Sequence, residues 1–336
     1  MMKILRAVAL VALMTALPFA IPHKAMAQQA APTANDAALL RALQGPGGDI
    51  SGRITIPDSK AAVLQQPEGR EWREFREGTL KTASAVLVVG VVVLLAAFYL
   101  MRGKIRVDAG LSGRKILRFG SVDRFAHWLT ATSFIVLGLS GLNLVFGKTV
   151  LLPVIGAEAF ATLSEIGKFA HNFLSFPFVL GVVLMFLLWV KDNIPSGSDV
   201  TWLSQAGGLL SKGSHPPAKR FNAGQKVIFW MVVLGGAAMA VTGYMLMFPF
   251  YGTDVAGMQL MHMLHALIAA VMIAVIIGHI YIGSIGMEGA FDAMGTGEVD
   301  VNWAREHHSE WLKDQLAKEA KAGKARPGMA GAAPAE

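Results

Sequence analysis

The feature that most constrains this chain is its last long apolar run, residues 262 to 283, which contains three histidines. A run of this length crosses a bilayer, where an ionisable side chain is costly and usually faces a cofactor, a pathway or a partner. Two of the three, His265 and His279, are 14 residues apart. On an α-helix this separation falls about 40° short of four full turns and rises about 21 Å. One face of one helix therefore presents two imidazoles at two depths.

Four other runs are also long and apolar enough to span a membrane. Hydrophobic residues make up 54% of the 336-residue chain and charged residues only 16%, a composition typical of an integral membrane protein. The sequence therefore predicts an all-α membrane protein with five spans. The other four runs are residues 82 to 101, 125 to 147, 169 to 190 and 227 to 247.

The N-terminal part has the pattern of an exported segment. Residues 1 to 27 carry Lys3 and Arg6 before an apolar stretch and end in Ala-Met-Ala, which predicts a signal peptide or, as the alternative, an uncleaved first span. Residues 28 to 81 follow as a periplasmic segment that is either a docking segment or a plain linker. The span at residues 82 to 101 contains no histidine, so we interpret it as an additional anchor helix.

Basic residues predict the orientation of the spans. Residues 102 to 124 and 191 to 226 contain seven and five Lys and Arg, against two in residues 148 to 168 and none in residues 248 to 261. Cytoplasmic loops of membrane proteins carry such an excess. We therefore expect the linker 102 to 124 and the tail 288 to 336 on the cytoplasmic side of the membrane. The net charge of +7 then reflects orientation rather than nucleic-acid binding.

The absence of cysteine restricts the chemistry of any redox centre. With no cysteine in the chain, disulfides, thiolate iron–sulfur clusters and covalently attached c-type heme are excluded. Histidine and methionine remain as ligands, and methionine is more often a filler of apolar cores. The nine histidines are therefore the main candidates.

The predicted orientation pairs four histidines by depth. His127 falls at the inner end of its span and His279 at the inner end of the last one, whereas His171 and His265 fall at outer ends. Two histidines on facing helices at one depth are the natural axial ligands of a b-type heme. His262 is a rival for His265 as the outer ligand, but its position is about 100° away from the face that carries His279.

Small residues and one arginine give weaker support. Glycine and serine let a flat macrocycle approach a helix backbone, but ordinary helix packing in membranes uses the same residues. Arg124, one turn before His127, is either a partner for a heme propionate or a charge that fixes topology. The small residues are Gly138, Ser140, Gly141, Gly181 and Gly243.

Five sequence pieces together resemble a known family. They are VDRFAHW, GKFAHNF, FNAGQKVIFW, LHALIAAVMIAVIIGHIYIG and VNWAREHHSEW. The region from about residue 115 to 315 is similar to the cytochrome b, or gamma, subunit of respiratory formate dehydrogenase. The N-terminal signal and additional span match the longer proteobacterial form of that subunit. The resemblance therefore implies a multi-pass protein of a bacterial inner membrane.

The resemblance implies a fold and a set of site residues. It implies a four-helix diheme cytochrome b bundle over residues 125 to 287, with His127, His171, His265 and His279 as heme iron ligands. It also implies a quinone site near the inner heme that includes Asn222 and Gly224. From the residues alone, Asn222 is a good N-cap for the span that follows it.

The resemblance further implies partners. Such a subunit takes electrons from a periplasmic iron–sulfur beta subunit, fed by a molybdenum or tungsten alpha subunit that oxidises formate, and passes them through two hemes b to ubiquinone or menaquinone. This chain would then be a non-catalytic electron-transfer subunit. Two alternatives stay open: the b-type subunit of a nickel–iron hydrogenase or thiosulfate-type reductase, and a heme-free membrane anchor.

Overall fold

The computed structural model describes residues 69 to 211, 213 to 249 and 251 to 324; for residues 322 to 324 it describes the backbone alone. The chain divides into two compact units at Glu71. The features described below belong to the second unit, from Trp72 onward, apart from residues 69 to 71 at the start of the first helix. The predicted signal peptide, most of the predicted periplasmic segment and the end of the tail lie outside the described residues.

Within the described ranges, five helical stretches are long and apolar enough to cross a membrane. The predicted number of spans and the all-helical membrane fold are therefore confirmed. The stretches are Gly69–Arg102, Ser121–Val150, Ala157–Trp189, Ala223–Met247 and Val255–Gly286.

The first stretch consists of three helical segments. Helix α1 (Gly69–Glu74) continues through a π-helical segment (Phe75–Leu80) into α2 (Lys81–Arg102), which ends at Gly103 with a φ of +69°. The aromatic rings of Phe98 and Tyr99 meet that of Tyr281 edge to face, at 6.3 and 6.4 Å between centroids. Large apolar side chains elsewhere on α2 are exposed, as expected of a helix that faces lipid.

Helices α3 (Ser121–Val150) and α5 (Ala157–Trp189) form a hairpin closed by the short helix α4 (Leu152–Ile155). They approach closely at Gly181, where a Cβ atom would lie 3.0 Å from the backbone nitrogen of Thr130. Helix α5 begins twelve residues before the apolar run that marked it. Hydropathy identifies the stretch suited to lipid, whereas a helix continues outside the bilayer as long as its backbone bonds are satisfied.

Helices α7 (Ala223–Met247) and α8 (Val255–Tyr281) form the second hairpin, and a π-helical segment (Ile282–Gly286) extends α8. Asn222 caps α7: its Oδ1 accepts from the Gln225 backbone N–H at 2.9 Å, and the Gln225 side chain accepts from the Asn222 N–H at 3.1 Å. This capping box confirms the N-cap expected for Asn222. Asp254 caps α8 by accepting from the Gly257 N–H at 2.8 Å.

One end of the bundle is covered by a folded layer, which we call the capping layer. It comprises residues 103 to 120, 191 to 222 and 287 to 324, as far as these are described, and lies where α3 and α7 begin and α5 and α8 end. Its elements are β1 (Lys115–Leu117), α6 (Gly197–Ser204), α9 (Asp292–Gly295), β2 (Glu298–Asp300), α10 (Val301–His307) and α11 (Ser309–Lys324), with 3-10 turns at Lys191–Asn193 and Ala206–Gly208.

The two strands of the capping layer pair antiparallel, with Ile116 opposite Val299. Both of these side chains are buried, and they extend a core of aromatic residues that seals the end of the bundle. The sequence analysis did not anticipate this sheet. Strands of three residues leave no alternation long enough to be recognised.

Arg118 lies in the aromatic core of the capping layer and is only 4% exposed. Its guanidinium carbon stands 5.1 Å from the ring centroid of Trp303 and 5.7 Å from that of Trp311, distances at which cation–π attraction operates. Its Nη2 donates to the Arg220 carbonyl at 2.7 Å. Burial, together with the charge of Arg220, lowers the pKa of Arg118 to about 9.

Asp300 fastens the loop before β1 to the start of α10. Its carboxylate accepts hydrogen bonds from the Ser112 hydroxyl (3.0 Å) and the backbone N–H groups of Gly113 (2.9 Å), Asn302 (2.8 Å) and Trp303 (3.4 Å). Burial raises the pKa of this carboxyl, but the hydrogen bonds outweigh burial and leave the pKa below its ordinary value of 3.8. The ionised form therefore stabilises the capping layer.

We expect Asp300→Ala to lower the free energy of unfolding by about 3 kcal/mol, because several charge-assisted hydrogen bonds are lost together. Asp254→Ala is the matched control, since it removes the cap bond to the Gly257 N–H and should cost about 1 kcal/mol. Thermal unfolding of the protein in detergent measures both. The excess effect of Asp300 should persist at neutral pH and vanish as the pH falls through its folded-state pKa, below 3.8. Equal losses in the two variants would contradict this assignment.

Candidate bis-histidine sites

The structure brings four of the sequence-selected histidines together as two pairs. His127 on α3 faces His279 on α8, and their ring centroids are 6.2 Å apart with an interplanar angle of 56°. His171 on α5 faces His265 on α8, also with a centroid separation of 6.2 Å, at 63°. We call the first the cap-side pair and the second the distal pair. Helix α8 contributes one histidine to each pair.

The ring separation fits two axial ligands of one metal ion. An imidazole nitrogen lies about 2 Å from a metal ion that it binds, so two imidazoles on opposite sides of one ion have centroids about 6 Å apart. Both pairs have this spacing within the bundle. Two histidines on facing helices are a ligand set for a b-type heme, which needs no cysteine.

Hydroxyl groups orient both histidines of the distal pair. The Ser140 Oγ lies 2.8 Å from Nδ1 of His171, and the Thr242 Oγ1 lies 2.9 Å from Nδ1 of His265. Each hydroxyl also donates to the backbone carbonyl one turn earlier on its own helix, at 2.7 and 2.8 Å. The hydroxyls therefore accept from Nδ1–H, which leaves the lone pair of each Nε2 available to a metal ion.

A glycine lies beside each distal ring. A Cβ atom on Gly243 would lie only 3.1 Å from Cε1 of His265, so this glycine gives the ring its space, whereas one on Gly141 would lie at an ordinary contact distance, 3.7 Å, from Cε1 of His171. Each glycine directly follows the residue whose hydroxyl holds the ring. Of the other small residues selected from the sequence, Gly181 packs against Thr130 and Gly138 lies beside Ile273.

The cap-side pair has a different environment. Among the described residues, no hydrogen-bond partner reaches the buried Nδ1 of His127. The neighbouring Trp128 donates from its indole N–H to the Met294 carbonyl at 2.8 Å. Arg124 donates to the Gly295 carbonyl at 2.8 Å, so this arginine anchors the start of α3 to the capping layer.

His262, the rival considered for the outer ligand, lies outside both pairs. Its ring meets that of Trp72 edge to face, with centroids 5.7 Å apart. The residue that faces His171 is His265.

Asn222 and Gly224, selected through the family resemblance, lie at the start of α7. Because α7 and α8 are packed neighbours joined by a short loop, α7 begins at the end of the bundle where α8 ends, which is the end of the cap-side pair. A Cβ atom on Gly224 would lie 2.9 Å from the indole of Trp202 on α6. The absence of a side chain at Gly224 therefore leaves space for the Trp202 ring.

Sequence reasoning missed Thr242 and Trp202. Thr242 is separated by 23 residues from the histidine that it holds, and its hydroxyl is ordinary in a membrane helix. The signal available for Trp202 was equally weak, because its contact with Gly224 depends on how the loop between α5 and α7 folds back. The roles of both residues can be recognised only from the tertiary structure.

The chain is similar to cytochrome b556 subunits of formate dehydrogenases. The chain is 28% identical over 213 residues to the cytochrome b556(Fdn) subunit of the nitrate-inducible formate dehydrogenase of Escherichia coli K12, covering 62% of this chain and 95% of that protein. It is 26% identical over 202 residues to the cytochrome b556(fdo) subunit of formate dehydrogenase from the same strain, covering 59% and 92%. It is 24% identical over 207 residues to the formate dehydrogenase cytochrome b556 subunit of Haemophilus influenzae, covering 60% and 84%.

A family model described as prokaryotic cytochrome b561 matches residues 118–297. The match covers more than half of the chain and contains both histidine pairs. The chain therefore belongs to the prokaryotic cytochrome b561 family.

Proposed function

We propose that this chain is the diheme b-type cytochrome subunit of a membrane-bound formate dehydrogenase and that it passes electrons to a quinone. The observation that carries the proposal is the pair of opposed histidines at each of two levels of α8, both at 6.2 Å. Relatives named as formate dehydrogenase cytochrome b556 subunits support the donor.

In this proposal His171 and His265 hold one heme b, and His127 and His279 hold the other. Each bound heme supplies a one-electron carrier. The chain fixes the imidazoles on α3, α5 and α8, and excludes water from the cap-side level through the aromatic core of the capping layer. The rise of about 21 Å along α8 between His265 and His279 sets the separation of the two levels.

The orientation follows from the excess of Lys and Arg in the loops on the capping-layer side, which favours the cytoplasm for that side. The distal pair then lies near the periplasm and receives electrons first. Moving electrons inward across the membrane stores about 2.3 kcal/mol per charge for each 100 mV of potential.

The proposed quinone site lies at the start of α7, near the cap-side pair, and rests on the family resemblance of Asn222 and Gly224. The Oδ1 of Asn222 is engaged in the helix cap, whereas its amide group has N–H donors suited to a quinone carbonyl. Ubiquinone and menaquinone both present such a carbonyl. The protons of quinone reduction would come from the cytoplasm.

Formate oxidation belongs to partner subunits in this proposal. A molybdenum or tungsten subunit removes electrons from formate, and an iron–sulfur subunit delivers them to the distal level. The chain itself contains no cysteine to hold such a cluster.

The experiment that tests the function is co-purification followed by heme spectroscopy. The tagged chain, isolated in mild detergent, should carry two hemes b by pyridine hemochrome assay, and formate added to the co-purified complex should reduce both. If hydrogen rather than formate reduced the hemes, the chain would be assigned to a hydrogenase and not to a formate dehydrogenase. A preparation without b-type heme would overturn it.

The Thr242 hydroxyl that contacts His265 provides a finer test of the distal heme site. Thr242→Val keeps the shape of the side chain but removes the acceptor of Nδ1–H, so we expect heme affinity at the distal level to fall about 10-fold. The midpoint potential of that heme should become more positive, because the imidazole becomes a weaker donor to oxidised iron. Redox titration followed at the heme absorption measures the potential. Thr132→Val is the control, since Thr132 makes the same backbone bond to Trp128 at 2.7 Å and is exposed. Similar shifts in both variants would contradict the assigned role.

A further inference from the structure

Three ligand-type side chains converge in the capping layer, away from the histidine pairs. One ligand atom each from Asp108, His215 and Glu306 lies within 4.8 Å of the other two. Within this group, Nε2 of His215 lies 3.1 Å from Oδ2 of Asp108. The three residues come from the segment after α2, the loop before α7 and helix α10. The fold, rather than a local motif, brings them together.

Glu306 is held firmly at this point. Its side chain is buried, and its two oxygens accept from the backbone N–H groups of Asp108 and Ala109 at 3.0 and 2.9 Å. A carboxylate oxygen has a second lone pair that such a bond does not use. Two carboxylates this close repel each other, so the arrangement favours a cation between them.

A fourth ligand-type atom, a nitrogen of His307, lies beside the cluster. His307 lines the same small cavity as Asp108 and His215, with a volume of about 20 Å³. The Nε2 atom of His307 is buried and, within the described part of the chain, has no hydrogen-bond partner. Its ring centroid is 6.5 Å from that of His215. A cavity of this size accommodates a single ion or water molecule and no organic ligand.

We propose that Asp108, His215 and Glu306, with His307 as a fourth ligand, bind one divalent transition-metal ion of the Zn²⁺ class. Two carboxylates and two imidazoles are a ligand set that suits such an ion. Asp108, Glu306 and His307 lie outside the family match at residues 118–297. None of the four residues, His215 included, belongs to either histidine pair. The proposed metal site is therefore distinct from the heme ligands and goes beyond the proposed electron-transfer function.

A metal ion at this site would join the segment after α2 to α10. That segment connects the additional N-terminal span to the rest of the capping layer, through an Ile105–Met287 bridge and the bonds to Glu306. The ion would thus stabilise the attachment of α2 to the bundle end. Arg102 and Arg106 also line the cavity, whereas Glu306 belongs to the cluster beside it. The Nε of Arg102 donates to the Leu209 carbonyl at 3.2 Å.

The test uses the full-length protein in detergent, stripped with a chelator and then titrated with ZnCl₂ alone. Bound zinc, measured by mass spectrometry after dialysis, should reach one ion per chain, and zinc should raise the thermal unfolding midpoint. Asp108→Asn and His215→Gln should each weaken zinc binding about 10-fold or more and abolish the thermal shift. Both side chains are partly exposed, at 51% and 34%, so these variants should fold.

Asp314→Asn, a carboxylate change on the exposed surface of α11, is the matched control and should bind zinc as the wild type does. Unchanged heme spectra in all variants establish that the bundle is intact. Absence of zinc binding by the wild type, or equal binding by the wild type and the Asp108 and His215 variants, overturns the proposal. Unaltered affinity in His307→Gln removes His307 from the ligand set.

Discussion

Replacing His279 with alanine is expected to remove one of two hemes b and to abolish electron transfer from formate to quinone. The structure offers His127 one opposed imidazole, that of His279, at 6.2 Å. The heme lost is the one next to the proposed quinone site, so formate should still reduce the distal heme. Quinone reduction should fall by more than about 100-fold, because loss of an iron ligand has a larger effect than loss of a hydrogen-bond partner of a ligand. Hemochrome assay and formate:quinone turnover measure the two effects.

His262→Ala is the matched control for this variant. His262 lies on the same helix and in the same apolar run, but its ring contacts Trp72 instead of another histidine. Both hemes and full turnover should remain. Loss of a heme in this control would reassign the distal ligand, and normal quinone reduction by the His279 variant would exclude the cap-side pair as the exit point.

Replacing His171 with alanine is expected to produce the complementary result. The distal heme should be lost, because the imidazole that lies opposite His265, and that Ser140 orients, is then absent. The cap-side heme should remain bound, since its ligands lie on α3 and α8, but formate should no longer reduce it. Reduction by dithionite, which needs no partner subunit, reveals whether that heme is present.

The two histidine variants together determine the direction of electron flow. If formate still reduces the remaining heme in the His171 variant, electrons enter at the cap-side pair and the proposed order is reversed. If formate fails to reduce the remaining heme in the His279 variant as well, the sites do not act in series as proposed.

Part of this structure was accessible from the sequence because membranes make polar residues informative. An apolar run long enough to cross lipid and interrupted by a histidine identifies a span and, within it, a residue that needs a partner. Counting Lys and Arg in the loops then orders the spans by direction. These two steps were sufficient to match His127 with His279 and His171 with His265, and the structure places those rings opposite each other.

The capping layer was not accessible in the same way. Its strands are three residues long, and its core joins Arg118 to tryptophans nearly 200 residues away. The convergence of Asp108, His215 and Glu306 spans a comparable distance along the chain. The start of α5 at Ala157 was missed for another reason, since hydropathy stops where the lipid stops. Contacts between distant segments leave no periodic signal in the sequence.

Helix α8 contributes to both histidine pairs, and this shared part ties the two sites into one register. Inserting a single residue between His265 and His279 would rotate one imidazole by about 100° relative to the other and shift it by about 1.5 Å. One pair would then separate even though every ligand was still present. Substitutions at the thirteen positions between these histidines leave the register unchanged, whereas insertions and deletions do not, so the length of this segment is as much a determinant of the two sites as the histidines themselves.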